Sequence, residues 1–395
     1  MIDNFRISSF THNSRDSHSF PDFNLCVANK VREYHKSFPM YKPTSLVCLS
    51  DTAKYFNLGN IFVKNEAERF GLNAFKVLGG SFAVGSILAE KAGKSVFDTN
   101  YHELISAEIR NTFEDITFIT ATDGNHGRGV AWSATQFGCK SIVYMPTGSV
   151  SERLENIKAA GADARITDLN YDDTVRLATK HANENGYILV QDTAFGDYQE
   201  IPKRIMQGYC TMALEAYEQL PEKPTHIFLQ AGVGSMAAAV AAFFSSVYDS
   251  ERPIISIVEP LTADCFYRTA KANDGKLHCV DGEMKTIMAG LACGEPCSLA
   301  WDILSQVADH FIAIPDDAAA DGMCLLAKPF GDDKTIVAGE SGASAFGCIA
   351  EIMRNPDLSE LRVQLQLNDN SVVLFFNTEG ATDTNNYKKI VYGCH

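Results

Sequence analysis

The sequence predicts an α/β protein built as two lobes, with a smaller α/β lobe inserted into a larger parallel-sheet lobe. Three features predict it. At 395 residues the chain is longer than one simple core accommodates. Short apolar, β-rich runs alternate with helix-length stretches, the pattern of right-handed βαβ units around a parallel sheet. The alternation comes in two blocks, and the polar segment FGDYQEIPKR between them reads as a return linker. The expected division is a large domain of residues 1–112 and 201–395 and a small domain of residues 113–200.

In order, the first fifty residues are polar and turn-rich, with an apolar run at 45–48, and are expected to wrap the main lobe. A short helix over 51–58 takes Asp51 as its cap. Strand 61–63 leads through a polar turn to Lys76, and a helix of small residues is predicted from Ser81 to position 91. Residues 101–111 also read as helix. The small lobe follows as strand 116–121, helix 129–137, strand 141–145, helix 152–160, strand 164–167, helix 172–185 and strand 187–191. Pro202 bars an early helix start, so helix is predicted over 204–219. Strand 226–230, helix 236–248 and strand 254–258 resume the pattern. Helices at 262–272, 298–307, 317–327 and 342–353 and a last strand at 372–376 complete it.

Composition narrows the partners. Apolar residues make up 46% and charged residues 21%, as in an ordinary globular protein. A formal charge of −15 argues against nucleic acid and against an anionic membrane as partners. An anionic cofactor would therefore be held by local amides rather than by the overall field. The N-terminus lacks the apolar core of a secretory signal, and no apolar run reaches the roughly eighteen residues of a membrane span. The eleven cysteines are odd in number and scattered, as in a reducing cytosol, so a cytoplasmic protein is expected. Cys293 and Cys297 are the closest pair, yet no second Cys or His set accompanies them, and no metal site is expected. Whether Cys265 and Cys293 pair is left open.

Four stretches carry chemistry. Lys76 lies between Phe75 and Val77, with Gly79 and Gly80 after it. Apolar neighbours and a helix N-terminus disfavour its charged form, and a lysine neutral part of the time is a nucleophile that can form a Schiff base. The plainer reading is a surface lysine snorkelling beside a turn. In AGVGS, the amides of Gly232, Val233, Gly234 and Ser235 can converge on a phosphate at a helix N-terminus. The same stretch fits a dinucleotide fingerprint through Gly232, Gly234 and Ala237, with Glu259 as the ribose acid, or a tight turn with no ligand.

In TDGNHG, Thr122, the Asn125 amide and the backbone can bind a carboxylate or a ring hydroxyl, or simply form an Asx-turn. His126 alone is more often a structural hydrogen-bonder, and no HExxH or HxxxH pair supports zinc hydrolysis. Asp192 closes the strand 187–191, where it either faces a ligand crevice or caps the next turn.

Taken together, these stretches resemble the pyridoxal-phosphate enzymes of the tryptophan-synthase β-subunit type, fold type II. The shared order is a KxE strand turn (Lys64, Glu66) and Lys76, then an S/T-x-G-N-H-G loop, a glycine-rich phosphate loop and a late polar strand end at Thr378. It covers roughly residues 60 to 385. The strings NAFKVLGGSFA, TATDGNHGRGVAW, NYDDTVRLA, VQDTA, MQGY, LQAGVGSMA, TIMAGLACGEP, GESGA and NTEGATD look like the ammonia-lyase branch that acts on 2,3-diaminopropionate.

The resemblance implies pyridoxal 5'-phosphate as cofactor, held by Lys76 as a Schiff base. It places Asn125 on the ring hydroxyl, Gly232 to Ser235 on the phosphate, Thr378 at the pyridine nitrogen, and Glu340 near the same region. Asp123 stands where relatives carry a small hydroxyl residue, which suits a base or a cationic substrate. Asp192 and Asp123 are the acids available to a leaving β-ammonium, and Thr122, Asp123, His126 and Asp192 are the substrate-side candidates. The expected reaction is α,β-elimination from both D and L isomers, through aminoacrylate, to pyruvate and ammonia. Lys76 would take the proton of the L isomer and Asp123 that of the D isomer. A serine/threonine dehydratase or another β-eliminating enzyme of the same fold and, further off, an NAD-dependent dehydrogenase are the alternatives. A homodimer is the expected assembly.

Overall fold

The computed structural model describes residues 5–9, 19–113, 115–122 and 124–393, so Asp123 lies outside the described residues. These form eleven strands: β1 Arg6–Ser9, β2 Leu46–Cys48, β3 Asn60–Asn65, β4 Thr117–Ala121, β5 Lys140–Met145, β6 Asp163–Ile166, β7 Ile188–Leu189, β8 His226–Gln230, β9 Ile254–Pro260, β10 His310–Ile314 and β11 Val372–Asn377. One sheet has seven strands in the order β1-β10-β9-β8-β11-β3-β2, and the other has four in the order β6-β5-β4-β7.

In the larger sheet the five central strands run parallel, and β1 and β2 pair antiparallel at its edges. Strands β8 (HIFLQ), β9 (IISIVEP), β10 (HFIAI) and β11 (VVLFFN) are buried at every residue. Such near-continuous apolar runs are what a parallel sheet covered on both faces requires.

Strand order fixes where a ligand can sit. In the large sheet the chain steps outward from β8 to β9 and β10, whereas β11 lies on the other side of β8. In the small sheet it steps from β4 to β5 and β6, and β7 returns on the other side of β4. Each sheet therefore has a switch point, where the connections diverge and leave a crevice at the carboxyl ends of the strands. The loops after β8, β11, β4 and β7 are AGVGS, NTEG, TDGNHG and VQDTA.

Several elements differ from expectation for identifiable reasons. The lysine helix is Val77–Lys91, beginning before Ser81, so Lys76 occupies its N-cap position. Gly79 and Gly80 are helical because neighbouring helices press on them. A Cβ at Gly129 of helix Asn125–Gln136 would lie 3.0 Å from the Val77 backbone. Helix Glu200–Gln219 starts ahead of Pro202, which falls in the first turn, where a missing N–H costs nothing. Asp51 does not cap its helix. Helix Ser50–Tyr55 instead takes a carboxylate from far along the chain, as Asp333 accepts from the amides of Asp51 at 3.1 Å and Thr52 at 2.7 Å. Residues 101–111 break into Tyr101–Leu104 and Ala107–Arg110, since Ser106 is extended at ψ 147°. Helices Leu25–Lys36 and Thr384–Gly393 and strands β1 and β10 were not expected from the pattern.

The KxE residues serve the scaffold. Lys64 of β3 is fully buried and donates to Glu215 at 2.7 Å, while Arg69 pairs with Glu66 at 2.8 Å and with Glu215 at 2.7 Å. Two cations and two carboxylates thus neutralise each other between β3 and helix Glu200–Gln219. Thr44 completes the cluster, donating its hydroxyl to Glu66 at 2.6 Å.

Candidate active site

The two crevices meet at Lys76. The segment before it is pinned to the end of β11: Phe75 N–H donates to the Thr378 carbonyl at 3.0 Å, and Ala74 forms an antiparallel bridge with Glu379. At the N-cap of its helix, Lys76 sends Nζ to Asp192 Oδ2 at 2.6 Å. Asp192 comes from the small sheet's crevice and is 1% exposed. Burial alone would raise its pKa, but the Lys76 ammonium beside it holds the carboxyl at about 2. Ser235 ties the same residue to the phosphate loop, its hydroxyl donating to the Asp192 carbonyl at 2.6 Å.

One cavity gathers Lys76, Asn125, Asp192, Gly232, Val233, Gly234, Ser235 and Thr378. Eight of the expected residues, from five segments, therefore converge. Gly234 makes the phosphate loop possible: its φ of +88° is left-handed, and a Cβ there would strike Phe266 at 2.3 Å. Helix Ser235–Tyr248 begins directly after it, so its free N-terminal amides face the cavity.

Other expected residues take supporting places. The Thr122 hydroxyl accepts from the amides of Gly124 at 2.9 Å and Gly127 at 3.0 Å, closing the loop after β4. His126 Nε2 donates to the Val190 carbonyl at 2.8 Å, and its Nδ1 lies 3.8 Å from Asp192 Oδ2. Glu340 accepts from Asn386, and burial together with the nearby Glu379 pushes its pKa up. Asn125 reaches the cavity, where its amide donates to Glu379. Glu259 is no ribose acid: it accepts the amides of Phe266 at 2.8 Å and Tyr267 at 2.7 Å, and burial raises it to about 8. Cys265 and Cys293 are buried thiols rather than a disulfide.

Tyr209, Gln230, Ser341 and Glu379, which are not among the expected site residues, also line the cavity. Tyr209 lay in the string MQGY, Gln230 directly before AGVGS, and Glu379 directly after Thr378. Their adjacency to the motifs was the available signal. A second, wider cleft adjoins the first at Val233 and is walled by Asp172 and Arg176 of helix Tyr171–Asn185 and by Leu277 and Glu295 of the large lobe. Arg176 bridges it to Glu295 at 2.8 Å, and burial with the Glu295 charge pushes Asp172 up to about 6.

The residues present fit pyridoxal phosphate. An amine, a glycine-rich amide loop and a hydroxyl on a strand end converge on one cavity. Three deeply buried polar atoms of residues lining it, Asp192 Oδ1, Tyr209 Oη and Gln230 Oε1, have no hydrogen-bond partner among the described residues. Buried polar atoms are rarely left so unless a ligand completes them.

The chain belongs to the pyridoxal-phosphate dependent enzyme family, whose model matches residues 38–378. Within that family it is similar to the diaminopropionate ammonia-lyases. It is 48% identical to that of Salmonella typhimurium over 371 residues, covering 93% of this chain and 92% of the other. The crystal structure of the holo enzyme from Escherichia coli aligns with a TM-score of 0.92 at 43% identity, covering 99% of this chain and 97% of that one. The same Escherichia coli enzyme in complex with an aminoacrylate–pyridoxal-phosphate azomethine intermediate aligns at 0.90 and 43%, with the same coverage. The dehydrogenase reading falls with this membership.

Proposed function

We propose that this chain is a lyase that eliminates ammonia from 2,3-diaminopropionate, accepting D and L isomers. The released aminoacrylate then hydrolyses to pyruvate and a second ammonia. The observation that carries the reading is the Lys76–Asp192 pair, 2.6 Å apart, in a cavity with an amide-lined loop on one wall. The likeness to an enzyme crystallised with an aminoacrylate intermediate supports elimination over other chemistry of the family.

Bound pyridoxal phosphate supplies the electron sink that lets the α-proton leave. Lys76 would hold its aldehyde carbon, the amides of Gly232, Val233, Gly234 and Ser235 its phosphate, Asn125 its ring hydroxyl, and Thr378 its ring nitrogen. Asp192, ionised at neutral pH, holds an ammonium. With Lys76 engaged elsewhere, that carboxylate can take up the substrate's β-ammonium and keep it protonated until it departs. Lys76 Nζ, once released, takes the α-proton of the L isomer from one face, and Asp123 takes that of the D isomer from the other. His126 steadies Asp192, and Thr122 closes the loop that leads to Asn125. Glu340 lies close to Glu379, which lines the cavity.

Pyruvate formation from each isomer, set beside serine, tests the reading. Both isomers should turn over faster than serine; the reverse order would make the chain a dehydratase. In Asp123→Asn, turnover of the D isomer should fall by roughly 10²–10⁴-fold with the L isomer much less affected. Equal losses would end the two-face assignment. The same reading takes the enzyme as a cytoplasmic homodimer whose residues 113–200 move as a domain, and sedimentation would test the assembly.

A further inference from the structure

Gln230 ends β8 and Thr378 directly follows β11, neighbouring strands at the large sheet's switch point. Both side chains are buried, 2% and 4% exposed, and both line the cavity. Gln230 Nε2 donates to the Phe376 carbonyl at 2.9 Å and to Thr378 Oγ1 at 2.9 Å. A carbonyl can only accept, so Phe376 fixes which end of the amide is nitrogen. Thr378 Oγ1 is thereby committed as an acceptor from Gln230, and its own proton has no acceptor among the described residues. Thr378 lines the cavity, so a ring bound there can accept that proton. The Thr378 carbonyl, held by Phe75 at 3.0 Å, keeps the hydroxyl beside the lysine segment.

We propose that Gln230 is a positioning residue that holds the Thr378 hydroxyl as a hydrogen-bond donor, so that the ring nitrogen facing it is kept as an unprotonated acceptor. The inference rests on the reading above, which sets Thr378 at that nitrogen. A hydroxyl that already accepts from Gln230, and whose proton meets no other acceptor among the described residues, presents its O–H to the ring and disfavours a protonated ring, which would bring a second donor to the same contact. A glutamate at position 230 would invert the arrangement. Its carboxylate accepts only, so Thr378 would turn its O–H toward it and offer lone pairs to the ring. The amide thus sets the protonation state of a group that it need not touch.

The test is the ¹⁵N NMR shift of holoenzyme reconstituted with pyridoxal phosphate labelled at the pyridine nitrogen. The wild type should show a neutral, hydrogen-bonded pyridine whose shift does not titrate near neutral pH. In Gln230→Glu the signal should move toward the pyridinium position. In Gln230→Leu, which frees the hydroxyl to rotate, it should begin to titrate. A pyridinium signal in the wild type overturns the proposal, whatever the variants do. So does a Gln230→Glu signal that matches the wild type, or, should that variant fail to hold cofactor, a Gln230→Leu signal that does. A wild-type protein that forms no coloured, labelled complex would instead break the reading of the whole site, and this inference with it.

Discussion

Lys76 and Asp192 are the pair on which the chemistry turns, and their geometry makes a pH-dependent statement. Asp192 has a lower pKa folded than unfolded, about 2 against 3.8, because the Lys76 ammonium outweighs the cost of burying its charge. A lowered carboxylate pKa stabilises the fold above the unfolded value and loses that contribution as pH falls through the folded one. The shift corresponds to about 2 kcal/mol near neutrality. In apoprotein denatured with urea, Asp192→Asn should therefore be less stable than wild type above about pH 4, and the gap should narrow toward pH 2. A gap that widens on acidification would contradict the ion pair. At this scale the lysine and the anion loop stand out in the sequence, since each closes a strand or opens a helix, whereas Asp192 reads equally as a turn cap until the strand ends are brought together. Gln230, Tyr209 and Glu379 stayed hidden because their role is set by which strand ends become neighbours, and strand order is not written in spacing.

Among the elements, β3 and helix Glu200–Gln219 are joined by the buried cluster of Lys64, Glu66, Arg69 and Glu215. Glu215 receives both cations and is held at about 2: burial raises it, but Arg69 first, then Lys64, lower it by more. Replacing it leaves two buried positive charges facing a single carboxylate. Glu215→Gln should cost roughly 3–5 kcal/mol of stability, measured by denaturant unfolding, whereas an exposed pair should be near neutral. A loss below about 1 kcal/mol would show that the cluster is well hydrated. The KxE signature thus turns out to mark scaffold. Strands of the central sheet were legible as apolar runs bounded by turns. Strand β10 escaped because HFIAI follows the helix Ser298–Val307 with no Gly or Pro to announce a turn. The lysine helix was placed late because two glycines weigh against helix locally, and only the packing of Gly129 and the helix Glu200–Gln219 against them reverses that.

At the scale of the whole molecule, the reaction needs water kept from the reacting carbon, and the cleft between the two sheets is the space to be closed. Helix Tyr171–Asn185 forms one wall, and the stretch around Leu277 and Glu295 the other. The Arg176–Glu295 bridge across it joins side chains 61% and 49% exposed, so it is weak enough to break and reform during turnover. Serine in either configuration, as a substrate analogue, should slow amide hydrogen exchange on both walls at once; protection confined to one wall would rule out closure. The α/β class and the two-lobe plan could be read from alternation alone. That two switch points face each other, with Lys76 between them, could not, because it depends on how the inserted lobe docks. No helix among the described residues is long and apolar enough to cross a membrane.

The central claim is that one amine of this chain carries the cofactor and that its neighbours make the bound substrate lose ammonia. Reducing the purified holoenzyme with borohydride and mapping the pyridoxyl label by peptide mass spectrometry tests it most directly. A single label is expected on Lys76, in the peptide containing NAFKV, with turnover abolished. A label on any other residue, or an unlabelled enzyme that still converts diaminopropionate to pyruvate, would contradict it.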